Sequence, residues 1–158
     1  MSFLVLLYAI ILSILPIFEL RGGMIYAILA GINPFQAFII CTLANILIIF
    51  FVFFFLDYLH GSFMKLKSYK TIFNLYIEKT RKKVDKFKKN YSIYGFLALA
   101  IFVAIPLPAT GAWTGCLIAW LLELERKKSI LAIALGVLTA GLLVLLASLG
   151  IINIIKIA

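Results

Sequence analysis

The chain has 158 residues, 65% of them hydrophobic, with a mean hydropathy of +1.18. That composition excludes an ordinary soluble domain and points to one compact membrane domain. The net charge is +9, but ten of the 15 basic residues fall between Lys65 and Lys89, which describes a loop beside a bilayer and not a nucleic-acid face.

The first apolar segment runs from Phe3 to Leu29 and is interrupted at Pro16-Ile17-Phe18-Glu19-Leu20-Arg21-Gly22-Gly23. Met1-Ser2-Phe3-Leu4 carries no positive n-region and no small-residue cleavage site follows, so this segment is expected to belong to the mature protein. Gly31-Ile32-Asn33-Pro34 reads as a turn, with Pro34 opening the next helix. The second segment, Phe35 to Leu59, is 25 residues long and spans a hydrocarbon core of ~30 Å with some tilt; Gly61-Ser62 is expected to end it.

From Lys65 to Tyr91 the character changes. Leu66, Tyr69, Phe73 and Tyr76 recur at spacings of three and four, continued by Val84, Phe87 and Tyr91, with lysines on the other faces. This predicts an amphipathic helix, or two short ones, on an anionic membrane surface. The third apolar segment, Ile93 to Leu122, is interrupted at Pro106-Leu107-Pro108-Ala109-Thr110-Gly111. Glu123 to Ser129 reads as a polar loop, and Ile130 to Ile155 as a second full span.

Charge placement fixes the expected topology. The basic block at 65–89 and the cluster Arg126-Lys127-Lys128 should share the cytoplasmic side, so the third segment must leave the membrane where it entered. Its halves, Ile93–Ile105 and Ala112–Leu122, have 13 and 11 residues, and neither reaches across ~30 Å as helix. A re-entrant hairpin satisfies both constraints. A shift of 90 residues places Pro106 on Pro16, and the first segment has the same anatomy. The expected fold is therefore an all-α polytopic membrane protein of two inverted repeats, each a re-entrant helical hairpin followed by a transmembrane helix. Repeat one is 1–60, a basic amphipathic cytoplasmic linker is 61–92, and repeat two is 93–158. Residues 61–92 and 123–129 are expected in the cytoplasm, with both termini outside the cell membrane.

The two interruptions hold the candidate chemistry. Glu19 and Arg21 do not face each other on a straight helix, but an unwound tip can bring them together. A charge at mid-membrane costs ~2.5–3.5 kcal/mol on insertion scales, so each calls for a partner. The pair reads either as self-neutralising structure or as a site in which Arg21 holds an anionic group and Glu19 gates or carries a proton. Gly22 and Gly23 permit positive φ and close approach. In the second tip Pro106 and Pro108 donate no backbone hydrogen bond. Thr110 is expected to N-cap a half-helix beginning near Gly111, whose free N–H groups would accept an anion, with Trp113 on its first turn. Asn45, inside the second segment, either joins helices or reaches the tips. Asp57 reads as a solvated boundary residue, and Glu123 and Glu125 as partners of the loop cations.

Other chemistries find little footing. Cys41 and Cys116 are far apart and give no metal-ligand spacing, and His60 stands alone. No nucleophile, metal site or cofactor is expected, and the chain does not read as an enzyme.

The motifs Pro16-x-x-Glu19-Leu20-Arg21-Gly22 and Pro106-Leu107-Pro108-x-Thr110-Gly111-Ala112-Trp113-Thr114-Gly115 resemble the putative small multidrug export protein family. That family is distantly similar to the DedA (VTT-domain) membrane proteins, which share paired re-entrant hairpins and tips of this type. The likeness implies transport or scrambling of a lipid such as a polyprenyl-phosphate or phospholipid, with proton coupling an option. The second tip has Thr110-Gly111 where DedA proteins carry an arginine. The expected function is a transporter or flippase for an anionic amphiphile. The alternatives are proton-coupled multidrug export and a membrane-organising role without transport. The expected substrate-binding set is Glu19, Arg21, Gly22, Asn45, Pro106, Pro108, Thr110, Gly111 and Trp113. Partners are membrane lipids and an anionic lipid or small molecule, with a homodimer expected and no nucleic acid.

Overall fold

A computed structural model describes the backbone of residues 3–107 and 110–157, and side chains outside 76, 79–94 and 151–157. The described residues are helical with short connections. The helices are α1 (Phe3–Ile14), α2 (Glu19–Leu29), α3 (Pro34–Phe54), α4 (His60–Phe63), α5 (Lys67–Ala104), α6 (Ala112–Leu121) and α7 (Arg126–Ile157). A π-helical turn, Phe55–Leu59, joins α3 to α4.

Among the described residues, two helical stretches are long and apolar enough to cross a membrane: Pro34–Phe63 and Arg126–Gly150. The first runs past the Gly61-Ser62 stop expected from sequence. The second begins on the cationic cluster itself, so Arg126, Lys127 and Lys128 form a first helical turn and not a loop. Asn33 caps α3 with its side chain, accepting from Phe35 N–H at 3.0 Å, and Pro34 follows at the first helical position.

The interruptions fold as the proline positions suggest. Pro16 ends α1, and α2 returns alongside it. The two helices touch at Gly23, where a Cβ would lie 2.5 Å from the Ala9 carbonyl oxygen and collide with Ser13. In the second half α5 ends at Ala104 before Pro106, and α6 returns with Gly115 against Val103.

The sequence expects a separate surface helix ahead of the third segment. Instead α5 is one helix of 38 residues that carries both the basic block and the apolar stretch from Gly95. Its sequence holds no proline and a single glycine, so nothing in it breaks the helix. Tyr69 and Phe73 pack on Phe55, Phe63 and His60, with the His60 and Phe73 rings 4.3 Å apart. Trp120 closes the same cluster at 5.2 Å from His60. Tyr76, Val84, Phe87 and Tyr91 lie outside the described side chains.

Several positions of 19–49 correspond to positions of 111–141. Gly31 (φ 86°) and Glu123 (φ 52°) are 92 residues apart, and both take the left-handed conformation just after a helix. Each closes a Schellman turn: Ile32 N–H donates to Ala27 O and Leu124 N–H to Ala119 O. The buried positions of α2 (Glu19, Leu20, Gly23, Met24, Ala27) fall, at the same spacing, on Gly111, Ala112, Gly115, Cys116 and Ala119, all buried. In the full-length spans Ala37, Cys41, Asn45 and Ile49 fall on Ser129, Ile133, Val137 and Gly141, again buried. Before the tips the spacing is 90, since α1 ends at Ile14 and α5 at Ala104. The second tip is longer by two residues. Contacts between halves are reciprocal as well: α2 packs on α7, and α6 on α3.

Candidate functional site

The site is where the two tips meet. Helices that stop abruptly leave their last carbonyls without donors, and each half here supplies donors to the other. Trp113 Nε1–H donates to Ile14 O at 2.8 Å. Arg21, 92 residues before Trp113, donates through Nη2 to Ile105 O at 3.1 Å and through Nη1 to Leu107 O. Arg21 Nη2 also lies 3.1 Å from Thr110 Oγ1. Equivalent residues of the two halves thus reach across to the end of the opposite first arm.

Asn45 joins helices: its Nδ2 donates to Ser13 O at 2.6 Å and so ties α3 to the last turn of α1. It is 1% exposed, and leaving that carbonyl without a partner costs about 1–3 kcal/mol.

Glu19 differs most from expectation. The positive φ of the first tip falls on Glu19 (φ 50°), not on Gly22 or Gly23. A left-handed non-glycine residue is strained, and such residues cluster at functional sites. The conformation turns the carboxylate toward α6, where Oε1 accepts from Trp113 N–H at 3.3 Å. The side chain is buried, with 5% of Glu19 exposed. A Cβ on Gly111 would fall within this carboxylate. Glycine at 111 therefore serves close approach, and Gly111 is the N-cap residue of α6 with no side-chain bond.

This corrects the expected role of Thr110. Its hydroxyl lies 2.7 Å from both Ile105 O and Leu107 O and points into its own tip, not along α6. The cap expected from Thr110 comes from Glu19 in the other half. Glu19 and Arg21 form no ion pair with each other among the described residues; each engages the opposite tip instead. Gly22 faces Phe18, whose Cβ would lie 2.7 Å from an added Cβ, so it stands behind the tip contact. Pro106 is exposed at the edge of the tip. Pro108 lies outside the described residues.

Sequence reasoning did not pick out the acceptors Ser13, Ile14, Ile105 and Leu107, because they act through their main chain. The signal was present in the prolines, since a proline that ends a helix predicts carbonyls in need of donors. It also missed the Asp57–Arg126 pair. Arg126 Nη2 reaches both Asp57 oxygens, at 2.6 and 2.9 Å, and its guanidinium sits 4.0 Å over the Phe53 ring. Asp57 is thus tied to the start of α7. Of the loop acids, Glu125 pairs with Lys128 at 2.6 Å.

No curated protein and no solved structure matches the chain. A family model does, over residues 19–143, described as Putative small multi-drug export protein. The match begins at Glu19, after Pro16, and takes in α2, α3, the second tip, α6 and about half of α7. The chain belongs to that family, whose name describes membrane export.

Proposed function

We propose that the protein moves an amphiphile with an anionic head group across the membrane, with the paired tips as the gate. The observation that carries this reading is the pair of cross-tip bonds. The chain's own carboxylate, Glu19, accepts from Trp113 N–H in the first turn of α6, and Arg21 is held by the carbonyls of the opposite tip. An anionic head group can take both sets of donors by displacing Glu19 from α6 and drawing Arg21 off Ile105 and Leu107. Protonation of Glu19 would weaken its hold on Trp113 N–H and favour the exchange.

On this reading the two halves are inverted-topology repeats, each a re-entrant hairpin followed by a span. The correspondence at 92 residues and the reciprocal packing of α2 on α7 and α6 on α3 support it. Residues 61–92 and 123–129 then lie in the cytoplasm and both termini outside, and two copies form the working unit. The likeness of the tips to those of DedA proteins favours a lipid phosphate as substrate.

The family description favours a second reading, proton-coupled efflux of cationic drugs, in which the buried carboxylate of Glu19 exchanges a proton for the drug. Reconstitution separates the two. In proteoliposomes a fluorescent phosphatidic acid is expected to cross at least about ten-fold faster with the native protein than with Glu19→Gln or Arg21→Ala. Equal rates for all three would remove the proposed site. Ethidium movement driven by a pH gradient, lost in Glu19→Gln but kept in Arg21→Ala, would establish the second reading in its place.

A further inference from the structure

The basic stretch that opens α5 takes no part in the cross-tip bonds, and its described turns carry three kinds of surface. At about 100° per residue, Tyr69, Phe73 and Ile77 share one face, which packs on the aromatic cluster and the hydrophobic core. Ile72 and Leu75 fall beside that face and not on it, and they are 67% and 54% exposed. Lys67 and Lys70 take part of the remaining arc, with Lys65 just ahead of the helix, and all three are exposed. Among the described residues none of these three lysines forms an ion pair.

This combination selects the partner. Ten basic residues between Lys65 and Lys89 are opposed only by Glu78 and Asp85, so the surface calls for a polyanion or a charged sheet. A nucleic acid would meet the lysines and leave Ile72 and Leu75 in water. The boundary of an anionic bilayer takes both, with the apolar side chains among acyl chains and the ammonium groups at phosphates. The height agrees. Tyr69 packs on Phe55 and Phe63, near the end of the stretch Pro34–Phe63 that is long enough to cross a membrane. That contact sets the start of α5 where the stretch leaves the hydrocarbon.

We propose that the first turns of α5 bind the anionic phospholipids of the adjoining leaflet, and that the same turns fasten this contact to the bundle through Tyr69 and Phe73. Ile72 and Leu75 enter the acyl boundary, and Lys65, Lys67 and Lys70 engage the head groups. Leaflet charge then steadies the junction of α4, α5 and α6, since Phe73 and Trp120 both lie against the His60 ring. The partner is a lipid surface and not the transported species, so the inference holds whether or not the tips move a substrate.

The test uses the full chain with Cys41→Ala, Cys116→Ala and a bimane on Leu75→Cys, reconstituted in phosphatidylcholine nanodiscs. Quenching by nitroxide-labelled phosphatidylglycerol is compared with quenching by nitroxide-labelled phosphatidylcholine. The relative affinity read in this way is expected to favour phosphatidylglycerol at least about five-fold. Molar salt should bring the two lipids together. So should the joint change Lys65→Gln, Lys67→Gln and Lys70→Gln, with the helical circular dichroism and elution volume unchanged. Equal affinity for the two lipids in the native background overturns the proposal, and so does a preference that survives either treatment. A bimane quenched by aqueous iodide but by neither lipid overturns it as well, and would point to an acidic macromolecule instead. A second measurement tests the fastening to the bundle. The unfolding midpoint in detergent should rise with added phosphatidylglycerol and not with phosphatidylcholine. That rise should be lost in the triple lysine variant and in Phe73→Ala, although Phe73→Ala keeps the lipid preference. A rise in Phe73→Ala equal to that of the native chain would overturn the fastening.

Discussion

Glu19 and Gly111 occupy equivalent places in the two halves and touch across the interface between them. One is a left-handed acidic residue, the other a glycine with no room for a side chain. On the proposed transport reading this asymmetry suits a gate, since a single carboxylate caps one helix and a competing anion would displace it. Gly111→Ala is expected to push that carboxylate off Trp113 N–H, with an overpacking cost of about 1–3 kcal/mol and a loss of transport. The origin of the cost can be isolated. In a Glu19→Ala background the same Gly111→Ala change should cost far less, because the atoms it meets are gone. Equal losses of thermal stability in the two backgrounds would place the strain elsewhere in the tip.

At the scale of the elements, the helix breaks and the two long apolar helices were legible in the sequence, and for a physical reason. Pro16 and Pro106 end helices by removing a donor, whatever surrounds them, and apolar runs of 25 residues have few other uses. The partners of the tips were not legible. Thr110 is a sound N-cap by residue type, but the cap comes from Glu19, far away in the chain, which single-chain patterning cannot see. The continuity of α5 was missed because a change of composition at Ile93 was taken for a boundary, although nothing there stops a helix. The repeat also exposes a local flaw. Gly31 closes the first Schellman turn at φ 86°, but Glu123 takes the equivalent left-handed place at φ 52°. Left-handed backbone costs a non-glycine residue roughly 1–2 kcal/mol. Glu123→Gly should therefore raise the unfolding midpoint in detergent, worth up to about 1 kcal/mol, while Glu123→Gln, which removes only the charge, leaves it unchanged. A rise of the same size in both variants would assign the effect to charge.

For the molecule as a whole, the decisive quantity is how much of α5 enters the bilayer. Its apolar part, Gly95–Ala104, is ten residues, about 15 Å of helix, or half of the hydrocarbon thickness. The basic stretch before it cannot follow without carrying lysines into lipid at ~2.5–3.5 kcal/mol each. α6 is again ten residues long, so on the proposed hairpin reading the chain returns to the side it came from. There Arg126 at the start of α7 meets Asp57 in the π-helical turn that continues α3. That ion pair is independent of any charge-bias rule and requires the end of the first span and the start of the second to lie at the same depth. Single cysteines in a Cys41→Ala, Cys116→Ala background test the arrangement. Ser68→Cys and Lys127→Cys should react with an impermeant maleimide from the same, cytoplasmic, face. Ala30→Cys, at the far end of the first hairpin, should react from the other. Labelling of Ser68→Cys and Lys127→Cys from opposite faces would mean that α5 and α6 together cross the membrane, and both the hairpin reading and the inversion of the two halves would fall with it.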